Sequence, residues 1–219
     1  MRKYIKLLVQ LFVFIVISSA QAGSYEDFFT AIKRDNPGTV QNLLGRGFDP
    51  NTLDPQGVHG LLLAVQEPSP KVADVLIRWP GTNVEFRTAK DESPLMLASL
   101  RGHLDLVRKL IDRGADVNKT GWAPLHYAAT SGHVDIMELL LENHAYIDAE
   151  SPNGTTPLMM AALYGTPASV KLLLDAGADA ALRNQLGMTA IDFANKANRR
   201  DSAELIAAAR RSLQPRGKW

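Results

Sequence analysis

The sequence predicts an all-α solenoid, a row of stacked antiparallel helix pairs, and three observations predict it. A short element recurs as "GLLLAV" from residue 60, "PLMLAS" from 94, "PLHYAA" from 124, "PLMMAA" from 157 and "AIDFAN" from 190, at steps of 34, 30, 33 and 33 residues. A second marker, Gly47, Gly81, Gly114, His144 and Gly177, keeps the same rhythm, including a short step of 30 residues from Gly114 to His144. Between the markers the order of residue types stays constant. Self-similarity at such a period is the signature of a repeat array in which each unit buries its apolar face against its neighbours.

Taken from the N-terminus, residues 1–22 stand apart. Arg2, Lys3 and Lys6 precede an apolar run from Leu7 to Ile17, broken only by Gln10, and small residues follow at Ala20 and Ala22. This pattern is expected to be a secretory signal peptide cleaved after Ala22. As a helix the run spans about 16 Å against a hydrocarbon core of about 30 Å, which is short for an anchor. Without it the chain carries 24 − 3 = 21 basic and 23 acidic residues, a net charge of −2. That weighs against nucleic acid or an anionic membrane as the main partner. Cysteine is absent, which removes disulfides, thiolate metal sites and thiol chemistry.

The array is expected over residues 23–213, in units of about 25–57, 58–90, 91–120, 121–153, 154–186 and 187–213, giving five to six repeats including caps, with a basic tail at 214–219. Within a unit, Thr or Ser before Pro caps a first helix, and proline suits its first turn. Leu-X-X-Ala-Ala gives that helix a narrow face. Gly102-His103 and Gly132-His133 break it, and a leucine-rich second helix follows in "VRKLID", "IMELLLE" and "VKLLLDA". Gly-Ala-Asp at 114–116 and 177–179 ends the second helix, with glycine left-handed. A polar loop leads to the next unit. The 25–57 and 187–213 units depart from the pattern as end caps do. In the 58–90 unit, Pro68, Pro70 and Pro80 predict a short or distorted end to the first helix. The loop from Gly114 to Pro124 is three residues shorter than its siblings. His144 stands where the turn wants glycine, so a left-handed histidine is expected, at about 1 kcal/mol.

"SPLMLASLRGHLDLVRKLIDRGADVN" and "TPLMMAALYGTPASVKLLLDAGADA" resemble ankyrin repeats, and the resemblance covers roughly residues 25–213. It implies projecting finger loops and a concave groove that binds another protein. Carried over by position, the groove is lined at the first-helix ends by Lys33/Arg34, Gln66/Glu67, Leu100/Arg101, Thr130/Ser131 and Leu163/Tyr164, and on the fingers by Glu92, Trp122 and Thr155. Of these, Leu100, Arg101, Trp122, Thr130, Ser131, Leu163 and Tyr164 are the candidate partner-binding residues. Leu100, Trp122, Leu163 and Tyr164 are apolar where a monomer favours polar groups, and should form one continuous strip. Trp122 has a second reading, as local packing over the shortened finger.

No cofactor or metal is expected. The resemblance makes His126 a structural histidine bonded to backbone of the adjacent loop, and repeat geometry disperses His59, His103, His133 and His144. No phosphate loop, serine-nucleophile elbow or metalloprotease motif is present, so an enzyme is the least favoured class. Asn118-Lys119-Thr120 and Asn153-Gly154-Thr155 would accept glycans in a eukaryotic secretory pathway. The chain also resembles small periplasmic ankyrin-repeat proteins of Gram-negative bacteria. That implies an exported, monomeric, non-enzymatic interaction module of the periplasm, with peroxide defence as the implied process. The alternative is a secreted effector or a toxin-immunity partner.

Overall fold

The computed structural model describes residues 23–67 and 69–212, so the signal segment, Pro68 and the basic tail lie outside the described residues. These residues form two compact parts, 23–83 and 84–212. The boundary falls inside the expected 58–90 unit. Among the described residues the regular structure is helical, apart from one isolated bridge between Leu53 and His59.

The first part holds α1 (23–33), α2 (Pro37–Gly45), α3 (Gly60–Gln66) and α4 (Pro70–Arg78). Phe28, Ile32, Leu61, Leu62, Leu76 and Ile77 are its largest fully buried side chains. A Cβ on Gly60 would stand 2.8 Å from the Phe28 ring, so the close approach of α1 leaves little room for proline at this position of the series. His59 caps α3 instead: its Nδ1 accepts from Leu61 N–H and its Nε2 faces Asn51 Oδ1. Burial holds this imidazole neutral, with its pKa lowered to about 4. As the prolines foretold, α3 is short, and it ends in extended backbone at Glu67 rather than in a left-handed glycine. Ser69 Oγ donates to Ile32 O, and Asp35 Oδ1 accepts from Val72 N–H, which ties the start of α4 to the end of α1.

The second part holds α5 (Pro94–Arg101), α6 (Leu104–Asp112), α7 (Pro124–Ser131), α8 (Val134–Glu142), α9 (Pro157–Leu163), α10 (Pro167–Asp175), α11 (Ala190–Lys196) and α12 (Arg200–Ser212). It has two layers. The first helices pack in the order α5, α7, α9, α11, and the second helices in the order α6, α8, α10, α12. The first-helix layer is almost wholly buried, because alanines at 98, 128, 129, 161 and 162 let the helices approach closely. The second helices bury one stripe each, such as Leu106, Val107 and Leu110 on α6, and keep their charges in solvent. Each buried leucine contributes about 1.5–3 kcal/mol relative to exposure. Ser93, Thr156 and Thr166 cap their helices by accepting from the backbone N–H three residues on. Ala123 lacks a side-chain oxygen for this. There the His126 N–H donates to Ala123 O instead, and His126 Nδ1 accepts from Ala123 N–H.

The turns follow the marker residues. Gly114 and Gly177 have φ of 83° and 100°, and His144 is left-handed with φ 64°, as its place in the series requires. Beside these turns runs a row of latches. Glu85 accepts from Asp116 N–H, Asn118 from Tyr146 N–H, and Asp148 from Asp179 N–H, each at one repeat's distance in sequence. Asn51 does the same for Asn83 N–H in the first part. Ala181 holds the equivalent place at the end of the row and has no acceptor.

Candidate partner-binding face

The free ends of the first helices and the fingers before them supply the candidate residues, and in the 84–212 part their environments differ. Leu100, Trp122 and Thr130 come together with His126, Tyr127 and Met160 around a cleft of about 220 Å³ whose lining is almost wholly apolar. Tyr127 and Thr130 stand one turn apart on α7. Leu100 comes from the end of α5, Met160 from α9 and Trp122 from the shortened finger. Trp122 packs locally, its ring edge-on to His126 at 5.2 Å between centroids, and it also forms part of the cleft wall.

Leu163 and Tyr164 lie outside this lining, which corrects the expectation of one continuous strip. Tyr164 is 57% exposed. Arg199 gathers the backbone there, donating to the carbonyls of Leu163, Tyr164 and Gly165. Arg101 and Ser131 are exposed. Ser131 Oγ donates to Leu100 O at 2.7 Å, and His133 Nε2 reaches the same carbonyl at 3.2 Å. Thr130 Oγ1 donates to His126 O. These hydroxyls therefore finish helix ends and keep only their lone pairs for a partner.

The rim beside Tyr127 is acidic. Tyr127 Oη lies 3.4 Å from Glu92 Oε1, and Thr88 Oγ1 donates to the other oxygen of that carboxylate. Burial, then Glu92 and Asp91, push the Tyr127 phenol up to about 12. Lys119 pairs with Asp91 and is nearly buried by the contact. Tyr127 and Met160 escaped the sequence reading. The signal was available: both stand three residues after a repeat proline, one turn before the helix-end positions that were chosen. Lys33/Arg34 and Gln66/Glu67 belong to the first part, where Lys33 borders a separate recess of about 300 Å³ with Tyr25, Phe29 and Leu63. Thr155 is buried, and its carbonyl accepts from His126 Nε2 at 3.0 Å. His126 therefore bridges its own helix start to the next finger as a neutral Nε2–H tautomer, its pKa lowered by burial.

Among the described residues no group of three His, Cys, Asp or Glu side chains could hold a metal, and no helix is long and apolar enough to cross a membrane. The two Asn-X-Thr triplets differ. Asn118 Nδ2 donates to His144 O at 2.7 Å inside a latch, whereas Asn153 is exposed on a finger.

A family model for ankyrin repeats, three copies, matches residues 61–151 and 142–214. The chain belongs to the ankyrin-repeat family. Neurogenic locus notch homolog protein 1 of Xenopus tropicalis is 31% identical over 186 residues, which cover 76% of this chain and 7% of that protein. Ankyrin repeat and SAM domain-containing protein 6 of Mus musculus is 34% identical over 134 residues, 58% of this chain and 15% of that protein. The chain thus spans a small fraction of these relatives. Two solved structures match at nearly their full length. An ankyrin repeat domain from Acinetobacter baumannii AYE superposes with a TM-score of 0.73 at 26% identity, covering 83% of this chain and 96% of that one. A chain from the complex of a Bdellovibrio bacteriovorus predatory endopeptidase with its immunity protein gives 0.72 at 26% identity, covering 83% and 97%. Ankyrin repeats are in general non-enzymatic modules for protein–protein binding.

Proposed function

We propose that the chain is a non-enzymatic scaffold exported to the periplasm, and that it holds a partner protein against the first-helix face of residues 84–212. The observation that carries the reading is the cleft around Trp122, Tyr127, Leu100 and Met160, an apolar recess with aromatic walls. Leu100, Trp122 and Thr130 make its centre, and Arg101, Ser131, Leu163 and Tyr164 its periphery. Export rests on the basic, apolar and small-residue sequence of 1–22, and peroxide defence on the resemblance to small periplasmic ankyrin proteins.

A toxin-immunity role is the second reading, favoured by the structural likeness to a chain of the Bdellovibrio endopeptidase–immunity protein complex. One experiment serves both. The chain without residues 1–22 is immobilised and its partner is recovered from periplasmic extract of the source cell. The capture is repeated with Trp122→Ala and, separately, Tyr164→Ala. Trp122→Ala should weaken capture by about 2–3 kcal/mol and Tyr164→Ala by under about 1 kcal/mol, as for a central anchor and a rim residue. A catalase as the captured protein supports peroxide defence; a protease or toxin supports immunity. If both variants capture as well as the parent, this face is not the binding surface.

A further inference from the structure

The cleft is too small for a drug-sized ligand, whose pockets run from about 300 Å³ upwards, and suits one inserted side chain. The chemistry of that side chain can be read from the rim. The walls offer the rings of Trp122 and Tyr127 and the apolar groups of Leu100 and Met160. Beside the Tyr127 hydroxyl lie acceptors: Glu92 Oε1 at 3.4 Å, and the lone pairs of a phenol whose proton faces that carboxylate. Two carboxylates close to Glu92 in sequence are already paired. Asp91 is paired with Lys119 and Glu85 with Arg87, while no Lys, Arg or His pairs with Glu92 among the described residues. Glu92 is itself held in place, its N–H donating to Thr88 Oγ1 and its Oε2 accepting from the same hydroxyl.

We propose that the cleft receives a basic side chain, arginine or lysine, from the partner protein, with the aliphatic stem against Leu100, Met160 and the Trp122 ring and the charged head at the Glu92 carboxylate. The inference rests on the proposed use of this face for protein binding. Three properties favour such an occupant. A guanidinium or ammonium brings donors only, which complements the Glu92 carboxylate and the phenol lone pairs. It stacks favourably on Trp and Tyr faces. Its stem is apolar, so one side chain satisfies both the floor and the rim. A purely apolar side chain would fill the floor but strip water from Glu92 without replacing it, and an acidic one would be repelled.

The test uses the folded chain and four acetylated, amidated pentapeptides, with arginine, lysine, citrulline or norleucine between pairs of glycines. Citrulline is a neutral isostere of arginine, and norleucine is lysine without its ammonium, so the first comparison isolates the charge and the second the whole head group, without altering the protein. Binding is followed through the Trp122 indole N–H resonance, assigned by its loss in Trp122→Phe. The arginine and lysine peptides should shift that resonance and bind at least about fivefold tighter than their neutral counterparts, the size of an exposed cation–π contact with an ion pair. Glu92→Gln, which keeps the shape of the side chain, should erase the difference and leave binding of the neutral peptides unchanged. Equal binding of charged and neutral peptides would overturn the basic-side-chain assignment while leaving the face as a binding surface. No shift with any peptide would overturn it as well, and the Trp122→Ala capture experiment then decides separately whether the face binds a partner.

Discussion

The first helices of the 91–120 and 154–186 units end on the same letters, Leu-X-Gly, and they end in different ways. At Leu100-Arg101-Gly102 the glycine is left-handed, with φ 77°, and the His103 N–H reaches back to Ala98 O. The carbonyl of Leu100 is then finished by Ser131 and His133. At Leu163-Tyr164-Gly165 the glycine is not left-handed. It is there for space: a Cβ would stand 2.5 Å from Ala129 O and 2.9 Å from the Ala161 Cα. Its carbonyls are gathered by one guanidinium, that of Arg199. The first end leaves Leu100 facing the cleft, and the second leaves Tyr164 in solvent. A shared letter in a repeat can thus answer two needs, a backbone angle in one unit and an interatomic distance in another.

Substitutions at the two ends should separate these needs. Gly165→Ala carries the largest expected effect, a loss of about 3–4 kcal/mol, because its methyl would meet backbone that cannot yield. Gly102→Ala should cost about 1–2 kcal/mol, the left-handed penalty, since the group its methyl would meet is the movable ring of His133. Urea denaturation followed by helicity gives both numbers, and equal losses would break the distinction. Arg199→Ala comes next, at about 2 kcal/mol, for charge-assisted bonds to carbonyls that no other side chain reaches. Ser131→Ala at the first end should cost under about 1 kcal/mol, because His133 still serves the Leu100 carbonyl. The smallest effect has the opposite sign. His144→Gly should stabilise by about 1 kcal/mol, since the exposed imidazole brings strain at φ 64°. A loss of stability there would mean that His144 makes a contact worth more than the strain.

What the sequence disclosed and what it hid divide along the same line. Properties set by a residue's own backbone angles or by its neighbours in sequence were legible. The left-handed His144, the proline-started helices, the shortened α3 and the ankyrin fold itself are of this kind. His126 was legible through the resemblance, as the bridge to the next finger. Properties that depend on which groups meet across units were not. Arg199 looked like one basic residue among several in a terminal cap, and its role appears only when three carbonyls of another unit converge on it. Tyr127 and Met160 looked like core positions of a first helix, yet both are partly open to the cleft. Leu100 and Trp122 were found because an apolar side chain at a polar position is visible in one dimension. Their separation from Tyr164 is not.

The latches at Glu85, Asn118 and Asp148 share a direction. In each, the accepting side chain belongs to the earlier unit and the donating N–H to the later one. A polypeptide leaves the ribosome N-terminus first, and domains form in that order. At each of these three junctions the later unit therefore emerges to find an acceptor already in place. Ala181 sets out none, so the sequence of handovers closes there. The row has a grain, like wood, and a cut across it should differ according to the side from which it is made.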